Sequence, residues 1–365
     1  GCIFGGMVHD YFSGMISLRH KGENLPEILG RYLGSQAQWI SRAVCIVFSV
    51  LVGVVFAVGP AAILAPMTGW SVSAWVWIIF GYYFLATILP IQAIMGKVYP
   101  LFSVALIIMV VGILGVMLLA PFAEFMPYWM HIPSMEVLPD LDFFHNRHPA
   151  DFPLFPVMFI TIACGAISGF HSLVGSGTTA KQLNNEKDAQ PIAYGGMLIE
   201  CVLAIVSLCA VAYIWKDYQA GTTVTPTVVF ATGLSQMLGK IFGSGAVSVT
   251  YTLMVLAVSV FCLTSLDTAT RLARYMFQEF WLKPGEKASD PTVTGARKVL
   301  CNPYVSTAIT VVLGIALGMT GYAKIWPLFG AANQLLAGLG LLAVAAWLGK
   351  MGRNNKMFYV PMIFM

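Results

Sequence analysis

Charge is what this sequence has least of. Only 10% of its 365 residues are Asp, Glu, Lys or Arg, against 58% hydrophobic residues and a mean hydropathy of +0.79. Soluble domains carry about 25% charged residues, so the scarcity excludes an ordinary water-soluble domain and implies an integral membrane protein. The net charge of +4 is small and no basic stripe is present, which argues against a nucleic-acid partner. Cysteine occurs only singly, at Cys2, Cys45, Cys164, Cys201, Cys209, Cys262 and Cys301. Without a CxxC or CxxH spacing, neither a disulfide framework nor a zinc site is supported, and no metal is expected. Catalytic signatures are lacking as well. "GSGTTAK" has neither the spacing nor the Gly-Lys pair of a P-loop, "GFHSLVG" is not a nucleophile elbow, and no H-E-x-x-H occurs. Neither an enzyme nor a cofactor is expected.

What the chain does have is long apolar runs. They lack the alternation of barrel strands, which leaves helices as the way to satisfy backbone polar groups in lipid. A span needs about 20 apolar residues. Such runs fall at roughly 1–18, 40–67, 72–95, 99–121, 154–180, 192–215, 246–273, 303–320 and 324–348, with another starting at 357. Trp75, Trp77, Trp326 and Trp347 stand near span ends, where interfacial anchors belong. Alternating the spans puts all but four of the 20 Lys and Arg (the four being Arg147, Lys216, Lys240 and Lys324) on one side. That side is therefore cytoplasmic. The connection 122–153 then lies outside; its His131, His145 and His148 lack helical spacing and read as part of an exposed loop. The connection 216–245, with "GTTVTPT", reads as a cap over the membrane surface. Both ends fall inside apolar segments, so the chain is read as a piece of a longer one.

One apolar span is interrupted by polar chemistry. After "LFPVMFITIA" comes "CGAISGFHSLVGSGTTAKQL". Gly165 and Gly169 have the spacing of closely packed helices; Ser168, Ser172 and Ser176 repeat at the same interval; and Gly175, Ser176, Gly177, Thr178 and Thr179 combine helix breakers with hydroxyls. A discontinuous helix here would expose N–H groups at one half-helix end and carbonyls at the other, suited to an anionic group or a cation. Close packing with kinks is the structural alternative. His171 is a candidate proton carrier or carboxylate donor; a neutral imidazole bonded to a carbonyl is its structural counterpart.

Other polar residues sit at membrane depth. Thr264, Asp267, Thr268 and Arg271 share one helical face. Asp267 and Arg271 can pair at i,i+4, while Thr264, Ser265 and Thr268 beside the carboxylate are candidate oxygen ligands for a cation. His9 and Asp10 lie mid-span, where charge is costly unless paired. Asn333 and Gln334 interrupt an apolar helix, a place where amides commonly bridge helices. Glu200 is read as snorkelling or paired.

Five motifs, "GGMVHDYFSGMISLRHKG", "LFPVMFITIACGAISGFHSLVGSGTTAKQL", "YGGMLIE", "TSLDTATRLARYM" and "IWPLFGAANQLLAG", occur in an order that resembles the carbon starvation protein family of inner-membrane transporters. The resemblance implies uptake of peptides or pyruvate, coupled to an ion or proton gradient, and membership of the amino acid–polyamine–organocation superfamily. It implies an all-α membrane protein with a LeuT-like core of two inverted five-helix repeats, whose first core helix is missing from this chain. Residues 1–121 would hold core helices two to five, 122–153 an external loop, 154–348 core helices six to ten, and 349–365 the start of a truncated additional helix. The broken sixth helix would supply solute contacts from Gly165, Ser168, Gly169, His171, Ser172 and Gly175 to Thr179. Thr264, Ser265, Asp267 and Thr268 would serve a coupling proton or sodium ion, and His9, Asp10, Arg271, Asn333 and Gln334 would be structural or gating. The implied partners are a small carboxylate solute and the lipid bilayer. A membrane-embedded sensor or channel that binds without coupled transport is the alternative.

Overall fold

The computed structural model describes residues 2–88, 159–219, 226–282, 288–319 and 322–365, with Glu286 and scattered residues between 100 and 115. The expected span 99–121 therefore lies largely outside the described residues, and the 122–153 loop wholly so. Among the described residues all regular structure is helical. Among the described residues four helices are long and apolar enough to cross a membrane: Ser35–Thr68, Glu186–Tyr213, Val247–Trp281 and Ile325–Lys350. Shorter apolar helices run over Val72–Leu85 and Pro303–Gly318. Leu208, Ile205, Val249, Leu256 and Val312 are exposed on these helices, which gives them apolar outer surfaces suited to lipid.

The chain forms two compact units: Gly1–Val55, Asp142–Glu200 and Thr268–Met365 make one, Phe56–Leu141 and Cys201–Asp267 the other. Each unit draws on residues from both sides of 122–153. Three helices, α3 (Ser35–Thr68), α7 (Ala189–Tyr213) and α9 (Ser244–Trp281), contribute to both units.

The first unit contains α1 (Met7–Arg19), α2 (Leu25–Leu33), α5 (Phe159–Ala166), α6 (Gly169–Gly177), α10 (Pro303–Gly318), α11 (Tyr322–Lys350) and α12 (Tyr359–Phe364). Its centre is the mutual packing of α1, α6 and α11. The short amphipathic α2 was not expected, yet "NLPE" writes its start plainly. The Asn24 side chain accepts from the Glu27 N–H at 3.1 Å, the Glu27 carboxylate accepts from the Asn24 N–H at 3.3 Å, and Pro26 opens the first turn. That is a capping box. Gly34, at φ 96, ends the helix in a backbone region open to glycine. Leu25, Ile28 and Leu29 then bury the apolar stripe.

The second unit packs α8 (Pro226–Phe242) with parts of α3, α7 and α9, and holds α4 (Val72–Ile88). Ile63, Val206, Ala210, Ala231, Leu234, Met237, Met254 and Val255 form its buried cluster. Within 216–245 the helix itself was not expected from the sequence. The connection carries a 17-residue helix whose Ala231, Leu234 and Met237 are core residues. Apolar residues at helical spacing outweighed the Thr- and Gly-rich segment before them. Gly233 sits so close to α7 that a Cβ would lie 2.3 Å from the Ala210 carbonyl oxygen.

Candidate functional site

The span expected over 154–180 is two helices, interrupted at Ile167 and Ser168. The interruption is not at "GSGTT", where the glycines pointed. Glycine costs a helix interior only about 1 kcal/mol relative to Ala, and α6 continues through Gly175 to Gly177 before a 3₁₀ turn over Thr179–Lys181. Gly177 serves close packing instead, since a Cβ there would lie 2.7 Å from Leu272.

What stabilises the break is a partner supplied from α11. Asn333 is buried, and its Oδ1 accepts from the Phe170 N–H at 2.9 Å and from the Ser168 hydroxyl at 3.4 Å. Its Nδ2 donates to the Cys164 carbonyl at 3.3 Å and to the Cys164 sulfur at 3.0 Å. One amide thus satisfies a donor of the second half-helix and an acceptor of the first, groups that are expensive to leave unpaired in an apolar medium. The approach this needs is set by Gly169, where a Cβ would meet the Asn333 carbonyl oxygen at 2.2 Å. On the other side Gly6 performs the same service, with a Cβ position 2.0 Å from the Ala166 carbonyl oxygen.

The first turn of α6 places His171 against α1. His171 Nδ1 lies 2.8 Å from Asp10 Oδ2, and His9 Nδ1 lies 2.8 Å from Asp10 Oδ1. Across the ring, His171 Nε2 lies 3.8 Å from Glu200 Oε2 on α7. Side-chain exposure rises along this row, from 0% at His9 and 10% at Asp10 to 31% at His171 and 45% at Glu200. An ionised carboxylate in an apolar surround must be paired and hydrogen-bonded to persist; here each oxygen of Asp10 has an imidazole donor. A carboxylate only accepts, so both imidazoles carry their proton on Nδ1 when Asp10 is ionised. The sequence singled out the His9–Asp10 pair, His171 and Glu200 in three separate places; the fold makes them one cluster.

The serine row has another character. Ser172 and Ser176 are buried, and their hydroxyls donate back to the carbonyls of Gly169 (2.9 Å) and Ser172 (2.8 Å). Ser17 of α1 donates to the Ser176 carbonyl at 3.0 Å. The first two contacts stay within α6, the Ser17 contact fastens α6 to α1, and of the serine row only Ser168 stands at the break itself. Gly165, Gly175, Thr178 and Thr179 lie on the same two half-helices and the turn that follows. The α9 residues separate between units: Thr264, Ser265 and Asp267 belong to the second, Thr268 and Arg271 to the first. Asp267 and Arg271 are buried, and the Thr264 hydroxyl donates to the Phe261 carbonyl of its own helix at 2.7 Å. Gln334 is buried beside Asn333 on α11. Among the described residues no group of three or more His, Cys, Asp or Glu forms a metal-binding cluster.

The model of the carbon starvation protein CstA family matches residues 1–65, 44–221 and 215–365 of this sequence. The chain belongs to that family. An uncharacterized membrane protein of Haemophilus influenzae is 34% identical over 245 residues, covering 56% of this chain and 66% of the relative. Peptide transporter CstA of Escherichia coli is 30% identical over 340 residues, covering 76% of this chain and 46% of its own length. Pyruvate/proton symporter BtsT of the same organism is 28% identical over 366 residues, covering 79% and 48%. The chain spans about half the length of these two named transporters. Family membership and the four long apolar helices make it a membrane protein.

Proposed function

We propose that this protein is an inner-membrane secondary transporter that takes up a small carboxylate nutrient, pyruvate or a short peptide, by ion-coupled alternating access. The observation that carries the reading is the helix broken at Ile167 and Ser168, with a carboxylate-bound histidine in the first turn of its second half. The positive end of the α6 dipole and the His171 ring together favour an anionic group at that point. Asn333 occupies the same point with an amide, which a solute carboxylate and its own hydrogen bonds would have to replace. The names of the Escherichia coli relatives, a peptide transporter and a pyruvate/proton symporter, supply two solutes that share a carboxylate. The inverted five-plus-five arrangement is part of this proposal, supported by the position of the broken helix, which that scheme makes the sixth.

The test is uptake of labelled pyruvate and of a labelled dipeptide by the full-length protein in sealed proteoliposomes, under an imposed proton gradient and then a sodium gradient. Accumulation of either solute above its equilibrium level, lost in His171→Ala, is the expected result. Binding without accumulation under either gradient would refute transport and leave a solute-binding sensor.

A further inference from the structure

We propose that Glu200, His171, Asp10 and His9 form a proton-binding site, in which His171 takes the coupling proton from Glu200 and Asp10 holds the charged ring. This rests on the transport reading above and names the ion and the residues that carry it.

The four groups stand in a row: the two contacts to Asp10 are hydrogen bonds, and the Glu200–His171 gap is one that a single water or a rotation of Glu200 would close. Glu200 Oε2 faces His171 Nε2 at 3.8 Å, His171 Nδ1 meets Asp10 at 2.8 Å, and Asp10 meets His9 Nδ1 at 2.8 Å. With both Nδ1–H groups directed at Asp10, each neutral ring has its lone pair on Nε2. The two lone pairs are in different surroundings. His9 Nε2 is buried, makes no hydrogen bond, and is so closely packed that a Cβ on Gly340 would lie 3.0 Å from it. His171 Nε2 faces an acid that is half exposed. His171 is therefore the proton carrier, and His9 is a positioning residue that occupies one oxygen of Asp10 and fixes the other toward His171.

The transfer balances without any further reactant. With the 3.8 Å gap closed by a bridging water or by rotation of Glu200, the O–H bond of protonated Glu200 breaks and an N–H bond forms at His171 Nε2. This leaves a Glu200 carboxylate and an imidazolium whose charge Asp10 offsets. The same geometry disfavours sodium at this place, because hard cations take oxygen ligands. Both Asp10 oxygens are already occupied by N–H donors, and the Ser172 and Ser176 hydroxyls bond to their own helix. Asp10 from α1 and Glu200 from α7 are the charged groups acting on His171, while α11 brings the neutral amide of Asn333 to the same turn. An anionic solute arriving at the N-terminal end of α6 adds negative charge beside His171 and stabilises the imidazolium. Proton and solute thus favour each other's binding, which is what coupling requires.

The test uses full-length protein in proteoliposomes and labelled pyruvate, comparing gradient-driven accumulation with exchange in the absence of a gradient. In Glu200→Gln and in His171→Gln the ratio of accumulation to exchange should fall about tenfold or more. In Arg19→Ala, which loses only an exposed ion pair with Glu186, the ratio should stay at the native value. A second readout needs no transport. Acidifying the purified protein through the neutral range in weak buffer should show about one proton fewer bound per chain in His171→Gln than in the native protein. Proton uptake unchanged in His171→Gln, or accumulation driven by sodium alone with the proton gradient collapsed, would overturn the proton site while leaving transport standing. Native protein that neither accumulates nor exchanges solute would instead overturn the transport reading and the coupling role with it.

Discussion

Two histidines at opposite ends of α1 solve the same problem with opposite results. His20, at the C-terminal end, gives both ring nitrogens to fixed neutral partners: Nδ1 meets the Ile16 carbonyl at 2.6 Å and Nε2 meets the Tyr32 hydroxyl at 2.8 Å. With both nitrogens hydrogen-bonded to neutral groups, the ring pins the end of α1 to α2. His171 reaches the other end of α1 with one nitrogen on Asp10 and the other facing Glu200. That ring is held in place and still has a position for a proton. The difference lies in the partners. Neutral acceptors and donors end a helix, whereas two carboxylates around one imidazole make a site whose charge can change.

Breaking this contrast at Asp10 should have the largest effect. Asp10→Asn removes the charge on which His9 and His171 converge, and dismantling a buried pair costs about 3–5 kcal/mol. Solute uptake should vanish and the melting temperature in detergent should fall; native uptake with a native melting curve would mean that the carboxylate is dispensable. Next comes Asn333→Leu, which leaves the Phe170 N–H and the Cys164 carbonyl without their amide partner. An orphaned buried polar group costs about 1–3 kcal/mol, so thermal unfolding should shift clearly, with faster hydrogen exchange at Phe170. An unshifted melting curve and protected Phe170 amide would show that the break does not depend on Asn333. The smallest effect belongs to His20→Phe. Losing neutral hydrogen bonds costs about 0.5–1.5 kcal/mol each, so stability should drop modestly while the pH profile of uptake stays in place. A displaced pH profile would erase the distinction between the two ends of α1.

Much of this was legible in the sequence, and the parts that were not have physical reasons. Apolar periodicity located the long helices, and "NLPE" contained every element of the α2 capping box. The polar run from Cys164 to Leu183 marked the interrupted helix. Its glycines, however, misplaced the break, because helix interruption at membrane depth depends on who satisfies the freed groups rather than on which residue is a weak helix former. That partner, Asn333, lies 165 positions from Ser168. Asp10 and His171 were each conspicuous, but their 161-residue separation leaves no local pattern by which to join them. The serine row was visible as hydroxyls every fourth residue; whether these face a solute or their own backbone is a matter of side-chain rotamer that spacing does not encode.

The proposed meeting place of solute and protein is the break at Ile167 and Ser168. Ser168→Cys in an otherwise cysteine-free full-length protein, probed with a water-soluble maleimide with and without pyruvate or a dipeptide, tests this in one assay. The introduced thiol should label in the absence of solute and become protected as the concentration of the transported solute rises. A position that never labels, or one that labels equally at saturating concentrations of both solutes, would contradict it.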